Sequence, residues 1–443
     1  MTYNTNTGLA ASERRLILET VAKKISQQAL VILSANQDDL NAINSAVDEE
    51  RGMHAPKAVN HGPPAMQLTK RKLKALVAGI EAIALQASSA VGKNLRWLKV
   101  SDGLYLEQES VPMGLALGVF DDTCPAVVAE VAALCLASGN AVLLKPTERT
   151  GLKTVALLHS IFTGALEQHK VSTSACTLIH QREAFEDYLS LQGHVDIVIP
   201  RGGRELLDFV KTTTKIPVLG DAEGLCHVYV HADADLSMAA NILLDSKCGT
   251  GHGQYALQTL LVHASLIEEG QLDDLIAPLL AKGVTVYCGP RMRAQFRSQA
   301  LKMPAARSLN FEWGPLACAV EVVESLDDAM SHINVHGSHH TDVIVTSDDM
   351  NARLFGKGVE SACVFHNCSL RFSDSYAFGL GQQGGVVTKR VGASRGPVGL
   401  EGLLTSKWLM KGKGHVTETL GDVRTSNWVL QKKCVTCGMD VSQ

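Results

Sequence analysis

The chain has 443 residues, 46% of them hydrophobic and 19% charged, with a formal net charge of −4. That length exceeds what one core organises, so two or three domains are expected, and the composition is that of an ordinary soluble globular protein. The charge balance offers no basic field for nucleic acid and no basic amphipathic face for a membrane, and apolar runs such as "VAEVAALCLASGNAVLL" are broken by Glu130 and Asn140 before reaching the roughly 20 residues a span needs.

The opening "MTYNTNTGLAASERRLILETV" lacks a charged-then-apolar leader pattern, which points to the cytoplasm. Apolar residues then recur at helical spacing, predicting a helix over 9–46 with Ser12 as N-cap. Residues 47–66 read as a loop, and 69–88 as a second helical region. From 93 to 119 the pattern alternates around Asp102-Gly103, which is a hairpin signature. Strand–loop–helix units follow in "GNAVLLKPTERTGLKTVALLHSIF", "VDIVIPRGGRELLDFVKTTTKIPVLG" and "TDVIVTSDDMNARLFG", the last with Ser347 as N-cap. Alternation of this kind predicts an α/β protein with parallel sheets wrapped by helices.

Eleven cysteines are scattered without framework spacing, so most read as buried small hydrophobes. Cys434 and Cys437 form a single CxxC, a weak metal signal without a second pair. In "HGSHH" (336–340), His339 and His340 are adjacent and would point apart in a strand. No metal is expected.

Three loops carry candidate chemistry. "KCGTGHGQYALQTLLVH" (247–263) is glycine-rich and leads into an apolar helix end or strand. Lys145-Pro146-Thr147-Glu148 follows a buried strand, where ligands bind in open α/β sheets. There Lys145 can neutralise a phosphate and Glu148 can accept from a ribose hydroxyl. An ordinary surface turn is the competing reading. In "PRGGRELL" (200–207), Gly202 and Gly203 allow backbone to approach a pyrophosphate or nicotinamide at a helix start. Arg201 and Arg204 are either part of that site or solvated helix-start residues.

The runs "LEQESVPMGLALGVF", "ASGNAVLLK", "DIVIPRGGRELL", "DSKC", "GSHHTDVIVT", "NCSLRFSD" and "RGPVGLEGLLTSKW" resemble gamma-glutamyl phosphate reductases of the aldehyde dehydrogenase superfamily, in particular the reductase half of pyrroline-5-carboxylate synthases. The resemblance covers roughly residues 10–415. It implies two doubly wound parallel-sheet domains plus a β-hairpin oligomerisation flap. A nucleotide-binding domain would span 1–92 and 114–240, a catalytic-type domain 241–387, the flap 93–113 and 388–415, and a C-terminal tail 416–443. It further implies NADPH-dependent reduction of gamma-glutamyl phosphate to glutamate-5-semialdehyde through a cysteine thioester, on the way to proline. Cofactor contacts would fall on Ser138, Lys145, Pro146, Glu148, Arg201, Gly202 and Gly203. The cofactor would be NADP, with NAD as the alternative, and its binding weakened or lost. Partners would be a small-molecule substrate or nucleotide, and copies of the chain in a homo-oligomer or an active homologue in a hetero-oligomer.

Aligned without gaps, the family nucleophile falls on Gln254. An amide cannot form the thioester. Cys248 and His252 are the nearby substitutes. The loop "FDDTCP" differs from the family's Phe-Glu-Ser-Arg-Pro, so a substrate-pocket arginine is replaced near Asp122 and Cys124. The family's "GLGAE" glutamate falls on Gln383, and the glutamate after "NAL" on Gln258. Asn367 completes the implied substrate pocket. Loss of charge with the framework kept indicates a silent family member. The competing readings are an active NAD(P)H reductase with a shifted nucleophile, and a non-redox activity on the same fold.

Overall fold

A computed structural model describes residues 9–51, 66–179, 185–220, 224–249, 256–300, 303–314, 316–373, 386–387, 396–397, 399–417, 431–433 and 440–441. In chain order they form α1 (Ala11–Gln27), α2 (Ala29–Arg51), α3 (Lys70–Ala90), β1 (Asn94–Ser101), β2 (Leu104–Pro112), β3 (Leu115–Phe120), α4 (Pro125–Ala137), β4 (Ala141–Pro146), α5 (Leu152–Gln168), β5 (Cys176–Leu178), α6 (Phe185–Leu189), β6 (Ile197–Arg201) and α7 (Arg204–Thr213). There follow β7 (Cys226–Val230), α8 (Leu236–Cys248), β8 (Leu257–His263), α9 (Ala264–Glu268), α10 (Leu272–Ala281), β9 (Thr285–Cys288), α11 (Pro290–Gln295), α12 (Arg297–Ala300), β10 (Ala317–Val323), α13 (Leu326–His336), β11 (Thr341–Val345), α14 (Asp349–Gly358), β12 (Cys363–His366), β13 (Val386–Val387), β14 (Gly396–Pro397), β15 (Leu404–Lys411), β16 (Gln431–Lys433) and β17 (Asp440–Val441). The chain divides into two compact units, Met1–Arg201 with Val210–Val218 and Gly399–Gln443, and Gly202–Phe209 with Leu219–Val398.

In the first unit, α1 buries Ile17, Leu18, Val21, Ala22 and Ile25 along one face and packs on α3. Its start lies one residue ahead of the expected Ser12 cap. The Glu13 carboxylate reaches back and accepts from the Ala10 N–H at 2.7 Å, so the first turn is satisfied from within. The four-stranded parallel sheet runs β5-β4-β3-β6. Strands β3 and β4 are almost wholly buried, as continuous Leu/Val/Ala runs require when helices cover both faces. Helix α4 is apolar nearly all round, is buried along its length, and starts on Pro125. From β3 the chain lays β4 and β5 on one side and β6 on the other, so the topological switch lies between β3 and β6. A second, antiparallel sheet runs β15-β2-β1-β16-β17, with the Asp102-Gly103 turn between β1 and β2 and Gly103 at φ 77°.

The second unit is built on six parallel strands in the order β12-β11-β7-β8-β10-β9. Its core gathers Val228, Val230, Leu260, Val262, Val320, Val322, Val343 and Val345 from four of these strands. The apolar end of the 247–263 stretch is therefore a strand, β8. The cap of α14 is Asp348, one residue after the expected Ser347, with its carboxylate accepting from Met350 N–H at 2.7 Å. Among the described residues no helix is long and apolar enough to cross a membrane.

Candidate functional site

The carboxyl edge of the four-stranded sheet brings several expected residues together. Register sets Phe120 opposite both Pro146 and Arg201, so the loops after β3, β4 and β6 emerge side by side. Asp121 organises them. It accepts from Thr147 Oγ1 at 2.6 Å and from Arg149 Nε at 3.1 Å, and it forms an ion pair with the Arg149 guanidinium. Its own N–H donates to Arg201 O at 2.9 Å. Thr147 N and Thr150 Oγ1 both donate to Phe120 O, at 2.9 and 3.1 Å. Lys145 and Glu148 thus sit on a fixed loop edge rather than a loose turn. Asp121 was not singled out from sequence, because nothing local distinguishes it from Asp122, which is exposed at φ 47°.

Arg201 is partly exposed as a residue, yet its Nε and Nη2 are shut off from solvent and have no acceptor among the described residues. Burial pulls its pKa down to about 10, against the upward pull of Glu130 on α4, so it stays protonated at neutral pH. Gly202 and Gly203 follow and lead into α7, and a Cβ at Gly203 would meet nothing within 4 Å.

Two expected residues do other work. Ser138 is fully buried at the C-terminal end of α4, where its hydroxyl donates to Leu134 O at 2.7 Å and receives Asn140 Nδ2 at 2.7 Å. It precedes the amino end of β4, whereas Lys145 lies at the carboxyl end; the strand between them spans roughly 15–20 Å. The structure therefore places Ser138 away from the carboxyl edge of the sheet, where Lys145 lies. Cys124 is the N-cap residue of α4 and makes no cap with its side chain, its Sγ lying 3.9 Å from Gln67 O. Burial raises its pKa, with Lys72 pulling the other way.

In the second unit, α8 ends at Cys248, at the amino edge of β8. Lys247, 3% exposed, donates from Nζ to Leu257 O at 2.9 Å. Burial lowers its pKa. A Cβ at Gly249 would lie 2.5 Å from the far end of the Arg371 side chain, which pairs with Asp245 at 2.7 Å and would have to shift. Cys248 is half-buried and its pKa is raised by burial, against Lys247 and Lys282. Gln258 is 3% exposed and accepts from Trp313 N–H at 2.7 Å. Asn367, at φ 54°, gives its amide to Thr346 O at 2.9 Å and accepts from Thr346 N at 3.1 Å, so both ends of its side chain are committed to the backbone after β11. Gln254, His252, Gln383, Cys434 and Cys437 lie outside the described residues. All nine described cysteines are free. Burial pushes every one of those thiols above its ordinary pKa.

The histidines of 336–340 take separate roles. His340 Nδ1 lies 2.8 Å from Thr341 Oγ1, and His336 Nδ1 2.5 Å from Asn310 Oδ1. The buried partner of Asp342 is His227, with Nδ1 at 2.9 Å and the backbone N–H at 2.8 Å. That pair joins neighbouring strands over 115 residues of sequence, a separation no local pattern reveals.

Two compact units, each holding a parallel α/β sheet, and an antiparallel sheet attached to the first are the architecture of an aldehyde dehydrogenase-type protein. Residues 10–292 match the Aldehyde dehydrogenase family model. The chain belongs to that family and, within it, to the gamma-glutamyl phosphate reductases, being 36% identical over 410 residues to the gamma-glutamyl phosphate reductase of Synechococcus sp. (91% of this chain, 89% of that protein). Delta-1-pyrroline-5-carboxylate synthase A of Arabidopsis thaliana is 41% identical over 410 residues, which are 93% of this chain and 54% of the synthase. The chain thus spans about half the length of the plant synthases it matches. The crystal structure of gamma-glutamyl phosphate reductase from Thermotoga maritima superposes with a TM-score of 0.81 at 27% identity, covering 94% of this chain and 96% of that one.

Proposed function

We propose that this chain is a reductase-type member of proline biosynthesis in which the thioester-forming step on gamma-glutamyl phosphate has been lost, with Gln254 at the nucleophile position. The observation that carries this reading is the amide at position 254, where the resemblance sets the nucleophilic thiol; in support, burial raises the pKa of all nine described cysteines. A thiolate is the attacking species, and an activated cysteine has a lowered pKa, not a raised one.

The cofactor is a nicotinamide dinucleotide, NADP by analogy with the reductases, at the carboxyl edge of the four-stranded sheet. Lys145 would face phosphate, Glu148 a ribose hydroxyl, and the backbone turn after Arg201 the pyrophosphate. The solvent-shielded, unpaired N–H groups of Arg201 at this edge fit an anionic group. When bound, the nicotinamide supplies or accepts hydride. The chain's own part is to hold and orient it. The antiparallel sheet carries Trp408 and Met410, 49% and 58% exposed, on its outermost strand β15, and serves assembly with a second copy or an active homologue.

The second reading is an active NAD(P)H-dependent reductase with a shifted nucleophile. It draws on Cys248, the half-buried thiol under the pull of both Lys247 and Lys282. Incubation with glutamate-5-semialdehyde, phosphate and NADP, followed by NADPH absorbance, separates the two. The silent reading expects no sustained signal, and turnover at an ordinary enzyme rate overturns it. Restoring the thiol with Gln254→Cys is expected to return measurable turnover if that residue alone was lost.

A further inference from the structure

We propose that the Nε–Nη2 edge of Arg201 seats an oxyanion, a carboxylate or a phosphate, at the carboxyl end of β6; this rests on reading that edge of the sheet as the ligand-binding edge. Nε–H and Nη2–H lie on the same side of the guanidinium and point in parallel. They form the fork that takes both oxygens of a carboxylate or two oxygens of a phosphate. These two atoms, and not a random pair, are the ones cut off from solvent without an acceptor among the described residues. A charged donor left unpaired in a protein interior is costly, and native folds satisfy such groups or reserve them for a ligand.

The surroundings favour an incoming anion over an internal partner. The charge of Asp121, the nearest acid along the loop, is already met by Arg149 and Thr147. The loop 121–124 contains no basic residue that competes for the anion. Helix α4 begins just beyond it without a side-chain cap from Cys124, so the positive end of its backbone dipole is not offset there. Among the described residues Glu130, 9% exposed on α4, is the one acid whose charge acts on Arg201, yet it makes no hydrogen bond to the Nε or Nη2 of the fork. The fork lies at the switch point between β3 and β6, where ligands of open parallel sheets collect.

The oxyanion has two sources, a phosphate of the dinucleotide or the carboxylate or phosphate of an amino-acid-derived substrate. Calorimetric titration separates them, with NADPH in one arm and glutamate plus inorganic phosphate in the other. Arg201→Lys keeps the charge and removes the fork. It is expected to weaken one arm by roughly tenfold or more and spare the other, and the weakened arm names the source. Equal affinities in wild type and Arg201→Lys overturn the proposal, as does failure of both arms to bind the wild-type chain. Glu130→Gln keeps the fork and removes the opposing charge, and it serves if Arg201→Lys does not fold. Its expected effect is a several-fold tightening of the same arm; unchanged or weaker binding means that the fork serves Glu130, and overturns the proposal. NADPH binding to the wild type, with both arms unchanged in Arg201→Lys, preserves the cofactor reading while the fork falls. Fork-dependent phosphate binding without NADPH binding does the reverse.

Discussion

The ammonium of Lys247 and the carbonyl of Leu257 are hydrogen-bonded at 2.9 Å, ten residues apart in sequence. One contact therefore joins the end of α8 to the start of β8. Lys247→Met removes the donor and leaves a buried carbonyl unsatisfied. The expected loss is about 1–3 kcal/mol in urea denaturation. The charge has its own signature. Burial lowers the Lys247 pKa below 10.5, so the folded chain sheds this proton before the unfolded chain does. Over the interval just below 10.5 the unfolded state binds more protons, and this residue's contribution to stability rises with pH. That rise, read as the difference between wild type and Lys247→Met, is absent if the ammonium is not desolvated.

Asp39 caps a helix that cannot cap itself. Helix α5 follows Gly151, at φ 88°, and Asp39 on α2 accepts from Lys153 N at 3.1 Å, Thr154 N at 2.9 Å and Thr154 Oγ1 at 2.6 Å. Asp39→Ala is expected to cost about 2–3 kcal/mol by thermal or chemical melting. Gly151→Ala is strained by its positive φ, and its Cβ would lie 3.0 Å from Asp39 Oδ2, so a loss of roughly 1–3 kcal/mol follows. In the double variant the losses add to less than their sum, since both act on one cap.

Gln258→Glu tests whether the amide there is a lost catalytic acid or a packing choice. The Trp313 N–H already occupies its Oε1 at 2.7 Å in a buried setting. An ionised carboxylate at that place is expected to cost about 1–3 kcal/mol and to return no reductase activity. A gain in NADP-dependent turnover with Gln258→Glu alone would reassign the residue to chemistry.

His332 sets an acid limit. Burial, helped by repulsion from His227, His336 and Arg291, pushes its pKa down to about 3. Below 6.5 the unfolded chain takes up a proton that folded His332 refuses, so stability falls as pH drops from 6.5 towards 3, by up to about 1.4 kcal/mol per unit. Urea midpoints at neutral pH and at mildly acid pH are expected to converge in His332→Leu. His336, shifted in the same direction, leaves part of the slope in place.

Thiol labelling reads the proposed function without any substrate. Since every described cysteine is pushed up, iodoacetamide at neutral pH is expected to modify Cys124, Cys248 and Cys368, the half-buried ones, more slowly than free cysteine. Rapid labelling of Cys248 located by peptide mass would instead support the shifted nucleophile.

Periodicity carried much of the fold. The β1–β2 hairpin turns at Asp102-Gly103, and the three strand–loop–helix units fall where the apolar runs and loops alternate, because these signals act within a few residues. Caps moved wherever a neighbouring acid won: in α1 by two residues, from Ser12 to Ala10 whose N–H the Glu13 carboxylate takes, and in α14 by one, from Ser347 to Asp348. The site was only partly legible. Lys145 and Glu148 could be placed on the carboxyl edge from their position after a strand. Ser138 could not be seen to spend its hydroxyl on a helix end, nor Asn367 its amide on Thr346.

By itself the sequence determined the alternating α/β pattern, the family, and the amide that stands at position 254. Only the tertiary structure decided which polar groups are already satisfied: Asp121 by Arg149, Asp342 by His227, Leu257 O by Lys247, and the Arg201 fork by nothing among the described residues. Such pairings depend on strand order and burial across long separations, whereas residue type and spacing report only what a side chain is able to bind.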